Sequence, residues 1–313
     1  MVTLLAYDEI LLKHRTDTHP EQPERLTRAV DRLKKQGLWD RLLITNQRVN
    51  PEPWIRTIHS TDYIQRVEAA CKSNFPFIDS PENVVSPDSY MVACQSVSIA
   101  LSACDRLLAG QADNGFCLLR PPGHHAEYNR SMGFCLFNNI AIAARYLQMH
   151  HKLRKILILD WDAHHGNGTQ HSFEQDDTVF FCSLHQHPST LYPGTGWPDE
   201  VGLGAGKGFT LNLPLEPGAG DEDCLELFNN HFLPLAQKFD PDFVLISAGF
   251  DGHKLDTLSQ LNLTENAYGI MTEKMRKFAE KHCQGRLLSL LEGGYHLEAL
   301  SECVARHLEA LLA

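Results

Sequence analysis

The chain has 313 residues, enough for one large domain or two average ones and for a sizeable buried core. Its hydrophobic (43%) and charged (21%) fractions are those of a globular protein, and a formal net charge of −11 without a basic stripe argues against nucleic-acid binding. The opening MVTLLAYDEILLKH lacks the pattern of a secretory signal, and no apolar stretch approaches about 18 residues, so no membrane span is expected.

Taken in chain order, helical periodicity runs over 23–37 and 86–109, followed by the apolar run GFCLL at 115–119. A helix over 138–150 leads to KILIL (155–159) and then TVFFCSL (178–184). Residues 185–222, rich in Gly and Pro, read as a long loop region. A helix over 222–238, the run DFVLIS (242–247), a helix over 264–282, RLLSLL (286–291) and a helix over 297–312 complete the chain. Continuous apolar runs alternating with helices indicate strands covered on both faces. The expectation is an α/β fold, a single domain over residues 1–313 with a central, mostly parallel sheet flanked by helices.

Two patterns are set aside. GLGAGKG (202–208) fails the phosphate-loop spacing, because position 201 is Val and Gly208 follows Lys207; a glycine turn fits better. The nine cysteines are scattered without a C-x-x-C pair, which reads as reduced thiols in a cytoplasmic protein rather than a zinc-thiolate site.

Seventeen histidines are the unusual count, and their placement is informative. Each apolar run ends on chemistry: His124 and His125 after 115–119, Asp160, Asp162 and His164 after 155–159, His185 after 178–184, Asp251 after 242–247, and Tyr295 after 286–291. In open parallel sheets ligands bind beyond the carboxyl ends of the strands, so these groups are expected on one rim. Asp162 and His164, two apart, point the same way from extended backbone, and Asp251 completes two oxygens and one nitrogen for a divalent ion, zinc first. His124-His125 offer a general acid and base, with Asp160 and Asn167 as partners that orient them. A carboxylate stabilises imidazolium whereas an amide only orients the ring, so the histidine on Asp160 is the more easily charged. Tyr295, on a turn that Gly293-Gly294 makes flexible, offers an O–H to an oxyanion. His150-His151, at a helix end, read as surface or satisfied core residues rather than catalytic ones.

RPPGHHA, MGFCLFNN, ILDWDAHHGNGTQ, SLHQHPSTLYPGTG, ISAGFD and LEGGYH together resemble the zinc-dependent histone deacetylases of the arginase–deacetylase fold, from HPEQPERL near residue 19 onwards. Asn167 in DWDAHHGNG resembles the class II branch. The resemblance implies hydrolysis of an N-acetyl amide, acetyl-lysine in a protein or peptide by default. It implies one Zn2+ on Asp162, His164 and Asp251. It also implies an acid–base pair His124-His125 backed by Asp160 and Asn167, and a catalytic Tyr295. Gly133, Phe134 and Tyr192 match the acyl-lysine tunnel, Tyr192 standing where Phe is common. Arg25 matches the lining of an internal cavity, and a structural K+ is implied near Asp160, Asp162, His164, Ser183 and Leu184. Leu258, seven residues after Asp251, falls where polyamine-specific relatives carry an acidic gatekeeper. It offers no countercharge and favours acetyl-lysine over acetylpolyamines. An amidohydrolase acting on acetylpolyamines and a silent acetyl-lysine-binding module are the alternatives. The oligomeric state is not legible.

Overall fold

The structure, a computed structural model, describes residues 1–73 and 75–313. Its strands are β1 (Thr3–Ala6), β2 (Leu43–Thr45), β3 (Phe77–Ile78), β4 (Ser80–Val84), β5 (Asn114–Cys117), β6 (Ile156–Asp160), β7 (Val179–Gln186), β8 (Thr210–Leu215), β9 (Phe243–Ala248) and β10 (Leu287–Leu291). Eight of them form one sheet in the order β2-β1-β5-β10-β9-β6-β7-β8, every pairing parallel, and β3-β4 is a separate antiparallel hairpin. Strands β5, β6, β7, β9 and β10 are buried along their whole length, which is why they read as unbroken apolar runs.

The helices are α1 (Glu24–Lys35), α2 (Glu52–Ile55), α3 (Thr61–Lys72), α4 (Ser89–Leu108), α5 (Asn139–Met149), α6 (Asn167–Phe173), α7 (Asp221–Leu227), α8 (Leu233–Phe239), α9 (Glu265–His282) and α10 (Leu297–Leu312). The helix expected over 222–238 is α7 and α8 joined by a π-helical turn, Phe228–Phe232. By length and hydropathy α4 has the make-up of a membrane-crossing helix, contrary to the sequence expectation, but two thirds of that stretch is buried inside the protein, against α5 and β5.

Chain order and sheet order together explain the site. The chain lays down β1, β2 and β5, skips two places to β6, β7 and β8, and returns to fill the gap with β9 and β10. Four adjacent strands, β5-β10-β9-β6, therefore end side by side. Cys117 pairs with Leu290, Leu290 with Ser247, and Ser247 with Asp160, at one level across the sheet. The loops leaving that row carry the chemistry.

Three strands of the eight-stranded sheet, and both strands of the β3-β4 hairpin, escape the sequence reading. β1 and β2 are short, and β8 lies within the stretch read as loop. β8 is an edge strand, paired only with β7, and there Pro214 costs no central ladder bond.

Candidate active site

Asp162, His164 and Asp251 come together from the loops after β6 and β9. The Nδ1 of His164 lies 3.1 Å from Asp162 Oδ1 and 2.9 Å from Asp251 Oδ2. The other carboxylate oxygens are aimed by backbone: Gly293 N–H donates to Asp162 Oδ2 (2.7 Å) and Ala163 N–H to Asp251 Oδ1 (2.8 Å). Two glycines leave the room. A Cβ on Gly249 would sit 2.1 Å from Asp162 Oδ2, and one on Gly293 would sit 2.3 Å from Asp251 Oδ2. Two oxygens and one nitrogen converging within 4.8 Å of one another, with both carboxylates buried, fit a divalent ion.

The histidine pair sits beside them, ring centroids 4.0 Å apart. His124 Nδ1 lies 2.9 Å from Asp160 Oδ2, and His125 Nδ1 lies 2.7 Å from Asn167 Oδ1. Burial alone would lower the pKa of His124, but Asp160, Asp162 and Glu292 outweigh it and raise it to about 10. Burial and the neighbouring His124 and His164 push His125 well below its ordinary value. One ring is thus disposed to carry charge and the other to stay neutral.

The loop bearing this pair is held by Glu292, which the sequence reading passed over. Its Oε2 accepts from the N–H groups of Gly123 (2.6 Å) and His124 (3.1 Å), and its Oε1 accepts from Ser247 Oγ (3.1 Å).

Tyr295 stands on a turn that is pinned rather than flexible. Asp256 Oδ2 accepts from the N–H groups of Tyr295 (2.6 Å) and His296 (3.0 Å). From behind, Arg25 donates to the carbonyls of Gly294 (2.6 Å) and Glu292 (2.5 Å), its guanidinium 4.9 Å from the Tyr295 ring centre. Arg25 is fully buried and also bonded to Glu21, so its place is behind the pocket, bracing the turn. Burial raises the Tyr295 phenol well above its usual pKa, which keeps the O–H protonated.

A cavity of about 470 Å³ opens onto these groups, lined by His125, Gly133, Phe134, His164, Leu191, Tyr192, Leu258, Tyr295 and Glu82. Phe134 meets Tyr295 edge-on at 5.6 Å, and Tyr192 meets His125 edge-on at 5.3 Å. Gly133 has φ +53°, and a Cβ there would fall 2.1 Å from the His125 ring. Glu82, on the β3-β4 hairpin, places a carboxylate in this wall that no sequence motif announced; one oxygen is held by Ser80 Oγ at 2.5 Å.

Other residues lie elsewhere than expected. His185 is inside β7, its nitrogens bonded to Ser183 Oγ (2.8 Å) and the Gly196 carbonyl (2.9 Å), so it belongs to the core and not to the rim. His165 is likewise engaged by Thr195 and Gln170. Asp160 uses one oxygen for Asp162 N–H and the other for His124, and Ser183 is bonded to His185 beside the buried Leu184. These polar side chains find protein partners, and their geometry lends no support to the expected potassium ion. His150 and His151 lie outside the pocket at the end of α5, His151 Nε2 at 2.7 Å from Asp105.

A family model described as Histone deacetylase domain matches residues 19–311, and the chain belongs to that family. It is a deacetylase, of a class II-like kind. A "Probable deacetylase" of Archaeoglobus fulgidus is 40% identical over 305 residues, covering 95% of this chain and 82% of that protein. "Polyamine deacetylase HDAC10" of Homo sapiens is 37% identical over 330 residues, spanning all of this chain and 48% of the relative. The HDA15 HD domain, solved by crystallography, superposes with a TM-score of 0.93 at 36% identity over 99% of this chain and 88% of that one.

Proposed function

We propose that the protein hydrolyses the side-chain amide of acetyl-lysine in proteins or peptides, with zinc on Asp162, His164 and Asp251. The observation that carries this reading is the cavity that Phe134 and Tyr192 line together with His125, His164 and Tyr295, each aromatic ring packed edge-on against one of those groups. An apolar, aromatic lining suits an unbranched alkyl chain, with its amide beside the polar groups of His125, His164 and Tyr295.

A zinc ion held there supplies Lewis acidity, polarising the amide carbonyl and easing deprotonation of the attacking water. The chain's own residues do the rest. Neutral His125 takes the proton from water as it adds to the acetyl carbon. The Tyr295 O–H donates to the amide oxygen as it gains negative charge. His124, charged beside Asp160, supports that charge, and the histidine pair returns a proton to the nitrogen as the C–N bond breaks. The products are acetate and a lysine amine. Phe134 and Tyr192 keep bulk water from the alkyl chain.

A second reading has one observation in its favour. Leu258 is neutral, but Glu82 offers a carboxylate in the same wall, where the second ammonium of an acetylpolyamine would find a countercharge. Acetate release from an acetyl-lysine peptide by the zinc-loaded protein, with Tyr295→Phe as control, tests the main reading. Turnover lost in the variant supports it, and no turnover by the wild type refutes it. We further read residues 1–313 as one catalytic unit working in the cytoplasm.

A further inference from the structure

The amide of Asn167 has a donor end and an acceptor end, and its neighbours decide which faces where. On one side its Oδ1 lies 2.7 Å from His125 Nδ1. On the other its Nδ2 lies 2.5 Å from Glu127 Oε1, with the His125 carbonyl at 3.4 Å. A carboxylate and a carbonyl accept only, so the amide nitrogen is fixed towards them and the oxygen towards His125. A ring nitrogen facing that oxygen carries the proton. Neutral His125 is thereby left with its lone pair on Nε2.

We propose that Glu127 is a positioning residue that sets the tautomer of His125 through the Asn167 amide. It rests on the deacetylase reading, in which His125 is the base. The local sequence makes the arrangement. Glu127 follows His125 by two residues, and its N–H is tied to the Arg130 carbonyl at 2.9 Å. Asn167 and His171 stand one turn apart on α6 and both hold Glu127 Oε1, His171 Nδ1 at 2.8 Å. The negative charge is two hydrogen bonds from the ring instead of one. It fixes the proton's position without the direct stabilisation of imidazolium that Asp160 gives His124.

Glu127→Gln tests this, because a glutamine also offers an N–H and lets the Asn167 amide turn over. The expected result is a fall in kcat of about 10- to 100-fold with KM unchanged. Asn167→Asp alone sets two carboxylates against each other and also lowers kcat. In the double variant the introduced amide donates to the introduced carboxylate, which still accepts from His125, so adding Glu127→Gln to Asn167→Asp raises kcat. Losses that simply multiply in the double variant overturn the proposal. A second readout needs no turnover: ¹⁵N NMR of the histidine side chains, with His125 assigned by substitution. The wild type is expected to show His125 protonated at Nδ1 only, and Glu127→Gln a mixture of tautomers; an unchanged tautomer in that variant overturns the proposal even if Asn167→Asp fails to fold. Wild-type protein that releases no acetate refutes the deacetylase reading, and the NMR result still decides the role of Glu127.

Discussion

The carboxylate of Asp256 accepts the backbone N–H of Tyr295 at 2.6 Å, and through its other oxygen the N–H of Leu258 at 3.0 Å. One side chain, 7% exposed, therefore sets two walls of the pocket from two different loops. Asp256→Ala leaves three N–H groups without their acceptor and is expected to lower stability by roughly 2–4 kcal/mol. Asp256→Asn keeps an acceptor oxygen and is expected to lose less. Chemical denaturation of both variants, beside kcat, checks this; equal stability of the alanine variant and wild type contradicts it.

Tyr295→Phe removes the O–H and leaves the ring packed on Phe134. The expected loss is about a hundred- to thousandfold in kcat with little change in KM, the usual effect of deleting one oxyanion donor. Steady-state kinetics on an acetylated peptide measure it, and a change confined to KM would place the hydroxyl in ground-state binding.

The pH profile follows from the unequal histidines. A base works when neutral, so a pKa pushed well below 6.5 moves the acid limb of kcat/KM below that value. In Asn167→Asp the new carboxylate faces Nδ1 and favours imidazolium, which raises the pKa and shifts the acid limb to higher pH. Asp160→Asn acts on the other ring. It removes the group that holds His124 charged, so the alkaline limb shifts to lower pH. Profiles of the two variants that move together would contradict the division of roles.

Much of this was legible beforehand because the functional residues follow strands whose burial is written as unbroken apolar runs. KILIL, DFVLIS and RLLSLL announce β6, β9 and β10, and the groups after them meet because β9 and β10 fill the gap between β5 and β6. His185 misled for the opposite reason: β7 runs two residues beyond its apolar run, so the imidazole falls inside the strand. Glu127, Asp256 and Glu292 were missed because each acts on a group distant in sequence or on backbone N–H groups, and Glu82 because it reaches the cavity from the β3-β4 hairpin, outside every motif. Glu292 is the clearest case, accepting from Gly123 and His124 across 169 and 168 residues. Local spacing holds no trace of such a bond.

The charge in the pocket wall makes a separate prediction about selectivity. Glu82→Gln is expected to reduce kcat/KM for acetylspermidine by about fivefold at low salt, what an exposed pair worth ~1 kcal/mol delivers, with the effect fading as salt rises. Leu258→Glu is expected to raise the same value by a similar factor. A neutral N-alkylacetamide serves as reference, and equal changes on that substrate would show that packing, not charge, is responsible.

The most direct test of the central claim is the ratio of kcat/KM for an acetyl-lysine peptide to that for acetylspermidine, measured by acetate release from the zinc-loaded wild type. A ratio above one is expected, with turnover of the peptide lost in Tyr295→Phe. Turnover of acetylspermidine alone would contradict the assignment of acetyl-lysine and make Glu82 the residue that decides the substrate.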